Sequence, residues 1–495
     1  MADVSRRVIV LANRAPFKHE LSRGRVVTTR SSSGLVTALE PLLDAYSGTW
    51  VAHAAGSADT SVVGQLGGID VPPANSQYRV RYVSVPDAEY RGYYFGFANE
   101  GLWPLCHTVN VTPVFRRRDY EMYRAANTRF ASIVADEADQ ADEDSPLVLV
   151  QDYHFALAPR LLRRKLPRSR MVVFWHIPWP RPRLFRTCPW AMEVLEGLLG
   201  SDIVGFQTDD DCRNFLGCAE ALLDAIVDPS EGTIFYQGRL TAVRAYPVGI
   251  DCAHDALRSA PSPAACREQV CRELDLPAGV RLGVGIDRMD YTKGINEKFQ
   301  TIERLLEAEP ELVGRFAFVQ VAEPSRDCLA AYRDARAQVV ETCQRVNARF
   351  RTEAGPPIRL LEAHHEPAAV YRLYRAADFC YVGSLHDGMN LVAKEFVSAR
   401  SDERGVLVLS EFAGAARQLR AAVLVNPRRL EHSAAAIAEA LRMPAVEQAK
   451  RMRILRANVM SFDASWWARQ MVDDATRLVG RMPGVHEERW SSAVA

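Results

Sequence analysis

The sequence predicts an α/β protein of two large domains, each a largely parallel sheet with helices on both faces. Three observations lead there. Short apolar, β-branched runs alternate along the chain with helical patterns, the signature of strand–helix–strand units. At 495 residues the chain exceeds the size at which one hydrophobic core keeps growing. Its 48% hydrophobic and 25% charged residues match ordinary globular usage and exclude disorder or a fibre as the main state.

The strands come first. Runs at 8–11, 147–150, 172–175, 203–206, 282–286, 316–321, 379–382 and 406–409 are apolar but for Gln320, as strands buried on both faces of a parallel sheet are. Helical periodicity predicts helices over 156–165, 190–199, 209–225, 296–307, 328–350, 368–377 and 391–399. The acidic stretch 136–144 reads as a solvated helix end and loop ahead of the strand at Leu147. A strand-like 242–248 precedes 260–265, whose Pro261 and Pro263 suit the opening of a second domain. The expected boundary lies near Gly249, giving domains 1–248 and 249–455. Beyond Leu441 only helical signals remain. Trp466, Trp467, Met471 and Leu478 fall at helical spacing and predict that 456–480 packs back across both domains, leaving 481–495 as a frayed tail. No repeat of solenoid period is present.

Charge narrows the function. With 61 basic and 61 acidic residues the formal charge is zero, which disfavours bulk nucleic-acid binding. No run approaches the roughly 18 apolar residues of a membrane span, and residues 1–7 lead into a strand without a signal-peptide core, so a soluble cytoplasmic protein is expected. Ten cysteines contain no CxxC pair and sit among apolar neighbours, the pattern of reduced, buried thiols. Balanced charge permits homo-oligomers without predicting their geometry.

Four constellations could carry chemistry. Asn13-Arg14 follows the first strand, then a polar hairpin-like segment, then Ser31-Ser32-Ser33-Gly34-Leu35 before a helical pattern. A helix N-terminus there offers free amides to an anion, although alone it reads as an ordinary turn first. The second constellation is Gly285-Ile286-Asp287-Arg288-Met289-Asp290-Tyr291-Thr292-Lys293-Gly294 at a strand's C-terminal end, where open α/β sheets bind ligands. Its Arg288 and Lys293 are two fixed cations suited to a diphosphate. Third, His386-Asp387-Gly388-Met389-Asn390-Leu391 leads into a helix carrying Glu395, which is either a capped helix or a second anion-facing edge. Fourth, Gln151-Asp152-Tyr153-His154 and His176-Ile177-Pro178 place polar groups at successive strand ends of the first domain. Tyr93-Tyr94 and Trp103-Pro104 read equally as core aromatics or a ligand platform. His364 and His365 are adjacent rather than one helical turn apart, so no metal site is predicted. No nucleophile motif is present, and group transfer is expected rather than hydrolysis.

At these residues the sequence resembles the retaining glycosyltransferase family of trehalose-6-phosphate synthases. The resemblance runs from Val8 to about Leu478 through Asn13-Arg14, Gly34-Leu35, Leu102-Trp103-Pro104, Asp152-Tyr153-His154, His176-Ile177-Pro178, the 202–208 segment, the 288–294 segment and the 387–395 segment. It implies a GT-B fold: two Rossmann-like domains whose parallel sheets face an interdomain cleft, with a C-terminal helix crossing back. It also implies transfer of glucose from a nucleotide-diphosphate-glucose such as UDP-glucose to glucose 6-phosphate, with retention, giving trehalose 6-phosphate without metal or cofactor. On matching positions, the resemblance implies that Arg288 and Lys293 neutralise the donor diphosphate with amides near Gly34, Gly388, Met389, Asn390 and Leu391. Glu395 would hold the ribose, Asp387 and His176 the transferred glucose, and Asp152 the acceptor sugar. Arg14, Tyr94, Trp103 and Arg326 would form the acceptor phosphate pocket.

The sequence departs from that family at three places. His386 stands where the family usually has Arg, Gly383-Ser384 where it has Thr-Pro, and Gln151 where it has His. These border the donor site and leave UDP, GDP and ADP open as the donor nucleotide. Segments 13–17 and 49–52 resemble the glucosylglycerol-phosphate branch, whereas Pro324-Ser325-Arg326 resembles the trehalose branch and 290–294 is unlike the nitrogen-coupling enzymes. A sugar-phosphate sensor is the non-enzyme alternative, against which Arg288, Lys293, Asp387 and Glu395 speak.

Overall fold

A computed structural model describes residues 7–31, 34–63, 67–72, 77–139 and 146–477. Ser32, Ser33, Leu478 and the 481–495 segment lie outside them. The first sheet has ten strands, in the order Ile226–Asp228, Thr233–Tyr236, Arg239–Ala245, Ile203–Phe206, Arg170–Phe174, Leu147–Gln151, Val8–Leu11, Thr49–His53, Tyr78–Val83 and Gly68–Val71. Its centre, from Arg239–Ala245 through Tyr78–Val83, is parallel throughout, and antiparallel strands close each edge. The register pairs Val8 with Leu147 and Leu11 with Val150, so these apolar runs are shielded above and below by helices.

The second sheet is wholly parallel. Its six strands run Ile358–Leu361, Phe316–Glu323, Arg281–Arg288, Phe379–Val382, Val406–Ser410 and Val423–Val425. Both sheets turn C-terminal strand ends toward the same place: Gln151 and Phe174 end strands of the first, Arg288 and Val382 end strands of the second. The polar segment after Asn13 forms a hairpin, Phe17–Ser22 paired with Arg25–Arg30.

The end of the chain folds as two helices, Ala445–Ser461 and Ala464–Arg477, joined where Ala464 N–H donates to the Ile250 carbonyl at 3.0 Å. Trp467 is fully buried, its ring edge-on to Phe174 at 5.0 Å. Tyr246 donates to Asp474 at 2.7 Å, which ties the last helix to the first sheet. On the other side of the crossing, buried Lys394 donates to the Val248 carbonyl at 2.6 Å and to Gln418 at 2.7 Å.

Two expectations are corrected. At the end of the helix Arg117–Asp139, Asp136 and Asp139 are exposed as expected, but Glu137 is 1% exposed and lies 3.4–3.9 Å from Arg7, Arg79 and Arg81, whose charges compensate its burial, while 140–144 lie outside the described residues. The cysteines are all free thiols, but Cys328 is exposed and Cys252 and Cys271 are only partly buried. Among the described residues no helix is long and apolar enough to cross a membrane.

Candidate active site

The site forms where the two sets of strand ends meet. In the second domain, Asp387 follows the strand Phe379–Val382 and accepts from Lys293 at 2.5 Å, from Asn390 at 3.1 Å and from Ser384 at 3.1 Å. Burial works to raise this carboxyl, but the Lys293 charge and hydrogen bond outweigh it and hold the pKa at about 2. Gly294, at φ 62°, turns the chain into the helix Ile295–Ala308 so closely under the Gly383 carbonyl that no side chain fits. Beneath Arg288, buried Lys298 pairs with Asp287 and donates to Gln320 at 3.1 Å, fixing the strand end from below. Asn390 caps the helix Leu391–Ala399, its side chain accepting from Ala393 N–H at 3.2 Å. Glu395 sits one turn on, accepts from Tyr374 at 3.0 Å, and is raised above the usual carboxylate range by burial.

In the first domain, Asp152 occupies an unusual conformation, φ 73° and ψ 169°, that side-chain-bearing residues avoid. Its carboxylate accepts from the N–H groups of Tyr153 at 3.0 Å and His176 at 3.2 Å. Burial outweighs those bonds and lifts its pKa to about 7. His176 Nε2 donates to Gln151 at 3.0 Å, and burial depresses the ring to about 3, so it is a neutral imidazole. Gly388 of the second domain rests against the His176 carbonyl, where an added Cβ would come within 2.2 Å of the oxygen. That close approach sets the Asp387 loop directly over the Asp152 and His176 strand ends.

A cationic, aromatic pocket completes the cleft. Residues 91–102 form a wide π-helix that leads into Trp103–His107. It buries Tyr93, which bonds Asn13, and leaves Tyr94 partly exposed, so of this pair only Tyr94 reaches the cleft. Tyr94 stacks on Tyr90 at 5.0 Å and on His154 at 5.4 Å. Arg326 reaches in from the second domain, its guanidinium 4.3 Å from the Trp103 ring centroid and 3.3 Å from the Tyr153 hydroxyl. It also bonds Tyr332 and lies 3.6 Å from buried Asp290. Arg288 stands 5.5 Å from the same Trp103 ring and 3.9 Å from Asp290. Burial works to raise Tyr94, yet the charges of Arg326, Arg14 and Arg288 overcome it and bring the phenol below its ordinary value. Arg14 is exposed, with its backbone fixed by Trp50, which donates to the Arg14 carbonyl at 3.1 Å.

The structure thus gathers Arg14, Tyr94, Trp103, Asp152, His176, Arg288, Lys293, Arg326, Asp387 and Asn390 around one cleft. Gly34 begins the helix Gly34–Tyr46 and Leu391 the helix Leu391–Ala399. Met389 is buried, and its carbonyl accepts from Ala415 N–H at 2.8 Å. Sequence reasoning assigns no role to Asp290, Tyr332 or Ser384, which hold Arg326, Arg288 and Asp387 in place. For Asp290 a signal existed, since it lies two residues beyond Arg288 at the strand end. His364 and His365 lie in an exposed loop, and His364 pairs with Glu323 at 2.9 Å. Among the described residues no three His, Cys, Asp or Glu side chains gather as metal ligands.

The chain is similar to known proteins over nearly its whole length. The profile of Glycosyltransferase family 20 matches residues 6–477. A trehalose-6-phosphate synthase of Mycobacterium sp. (strain KMS) is 37% identical over 478 residues, 94% of each chain. Among solved structures, an E. coli trehalose-6-phosphate protein bound with UDP-2-fluoro glucose superposes at TM-score 0.83, with 29% identity over 95% of this chain and 99% of that one. An α,α-trehalose-phosphate synthase (UDP-forming) from Burkholderia xenovorans in complex with glucose 6-phosphate gives TM-score 0.82, with 30% identity over 95% and 99%.

Proposed function

The chain belongs to glycosyltransferase family 20, and from that membership we propose that it transfers glucose, with retention, from UDP-glucose to glucose 6-phosphate to give trehalose 6-phosphate. It is a glycosyltransferase of the GT-B fold. The observation that carries the finer reading is the Arg326–Trp103–Tyr94 pocket beside Asp152, a cationic and aromatic recess supported from both domains.

In this reading the nucleotide-sugar lies on the second domain. Arg288 and Lys293 take the diphosphate, aided by the amides of Asn390, Leu391 and Gly34, and Glu395 accepts from the ribose hydroxyls. Asp387 and the neutral His176 hold the glucose being transferred. Asp152 accepts from the acceptor sugar, while Arg14, Tyr94 and Arg326 bind its phosphate and Trp103 packs against it. Negative charge grows on the departing diphosphate as the anomeric carbon–oxygen bond breaks, and fixed cations are worth most where charge develops. The acceptor hydroxyl attacks from the same face, the new carbon–oxygen bond forms, and its proton passes to an oxygen of the leaving phosphate. No protein nucleophile is required. This assigns charge neutralisation to Arg288 and Lys293 and makes the nucleotide-sugar a substrate, with no resident metal or cofactor in the scheme.

The test is nucleoside-diphosphate release from purified protein in a matrix of UDP-, GDP- and ADP-glucose against glucose 6-phosphate and glycerol 3-phosphate, with products identified by mass. Release that needs UDP-glucose and glucose 6-phosphate together, yielding a disaccharide phosphate, is the expected result. Release only with glycerol 3-phosphate, or none in any combination, overturns the proposal.

A further inference from the structure

One contact across the cleft joins the two half-sites without belonging to either. His386 Nδ1 lies 2.6 Å from the His107 carbonyl and 3.3 Å from the Thr108 hydroxyl. A carbonyl only accepts, so Nδ1 carries the hydrogen, in the neutral tautomer and the imidazolium alike. That carbonyl closes an unbroken helical run from Asp87 to His107, which Thr108 ends at φ 51° with its N–H turned back to the Pro104 carbonyl at 3.1 Å. Carbonyls of a last turn lack partners within the helix and collect the negative end of its dipole. His107 is buried, so its carbonyl finds its donor in the other domain.

Each end of this bond is wired to substrate-facing residues. On the helix side, the His107 ring packs 4.1 Å from the Trp103 ring and its Nδ1 lies 2.9 Å from the Trp103 carbonyl. Trp103 in turn carries the Arg326 and Arg288 guanidinium groups. On the loop side, the next residue is Asp387, held by Lys293. Gly388 then rests on the His176 carbonyl, so the loop touches the first domain on both sides of Asp387.

We propose that His386 is a positioning residue that latches the donor loop to the acceptor helix, so that the sugar-phosphate pocket at Trp103 is set by closure of the second domain. The proposal rests on the functional reading above and adds to it the element that makes one substrate's pocket depend on the other's loop.

The chemistry selects the variants. Asn places an amide N–H close to where Nδ1 sits, whereas Ala removes the donor, so the full-length His386→Ala and His386→Asn proteins are compared with the native chain. Amide hydrogen exchange of peptides covering 103–112 and 383–392 should quicken in His386→Ala and return to the native rate in His386→Asn. In kinetics, His386→Ala should raise KM for glucose 6-phosphate about tenfold, the size of one hydrogen bond, with His386→Asn largely restored. UDP affinity by calorimetry should stay native in both, because none of the groups assigned to the nucleotide, Arg288, Lys293, Glu395 and the amides of Asn390, Leu391 and Gly34, bonds His386. Native exchange and KM in His386→Ala overturn the latch, as does an Asn variant no better than Ala, and so does loss of UDP binding in either folded variant. A native enzyme that binds UDP yet ignores glucose 6-phosphate would instead sink the functional reading, while hydrogen exchange still decides the latch.

Discussion

Asp152 offers the sharpest test of the site, because burial moves its carboxyl to about 7 while its neighbours are moved out of range. His176 is depressed to about 3 and His154 well below its ordinary value, both chiefly by burial, so neither imidazole titrates between pH 6 and 8. On the proposed reading Asp152 accepts from the acceptor sugar and works only when ionised, and at pH 6 about one molecule in ten is. The acceptor kcat/KM should therefore fall about tenfold per pH unit below 7, apart from a separate limb near pH 6 from the phosphate itself. Asp152→Asn keeps the shape and loses the charge. A hydrogen bond to a charged group contributes about 1.5–3 kcal/mol, so this variant should lose about 10- to 150-fold in acceptor kcat/KM. Its limb at pH 7 should vanish while the phosphate limb remains and UDP affinity is unchanged. The same shift acts on stability: folding raises the pKa above its unfolded value near 4, so the stabilisation is fully present below about pH 4 and is lost as pH rises through 7. Urea midpoints of the native protein should show that loss and those of Asp152→Asn should not. Either a flat native profile between pH 6 and 8, or an Asn variant that keeps the limb at 7, would refute the reasoning.

Other substitutions separate the half-sites. Arg288→Ala should cost about 10²-fold in turnover by steady-state assay, comparable to losing one oxyanion donor. Arg326→Gln should raise KM for glucose 6-phosphate far more than for UDP-glucose. Because buried Asp290 keeps Arg288, Thr292 and Tyr332 as partners, the fold should lose only about 1–3 kcal/mol in urea titrations. Trp467→Ala empties a fully buried site between the last helix and the first sheet, and should cost about 3–5 kcal/mol measured the same way.

How much of this was readable in advance follows from burial. Strands such as Val8–Leu11 and Val406–Ser410 are covered on both faces, so their sequence is continuously apolar and conspicuous. Edge and near-edge strands are not: Tyr78–Val83 reads YRVRYV with alternating burial, Gly68–Val71 is largely solvated, and Ile226–Asp228 is three residues long. These escaped a search for apolar runs. The π-helix over 91–102 was hidden for a different reason, since Gly92, Gly96 and Gly101 read as helix breakers. In the structure, Met122, Asp119 and Phe115 crowd the space a Cβ would take at those glycines, so the breakers are there for packing. Within the site, Arg288, Lys293 and Asp387 announced themselves by position at strand ends. Arg326 did not. Its pocket exists only because Trp103 and Tyr153 come from another domain, a pairing that no local pattern encodes.

The backbone explains why the site is built from such distant pieces. Asp152, Arg326 and Asn390 all adopt positive φ, at 73°, 51° and 78°, although none is glycine. Such conformations cost about 1–3 kcal/mol each and persist only where the surroundings over-determine them. Here the surroundings are neighbouring groups of the same cleft: His176 and Tyr153 amides hold Asp152, Tyr332 and Asp290 hold Arg326, and Ala393 and Asp387 hold Asn390. Strain thus sits on both walls of the cleft, on residues whose partners are also charged or polar. Relaxing any one of them would turn a carboxylate, a guanidinium or a helix cap away from the ligand space. Preorganisation of this kind suits the proposed transfer, in which the protein supplies no nucleophile and acts by fixed charges aimed at the leaving phosphate.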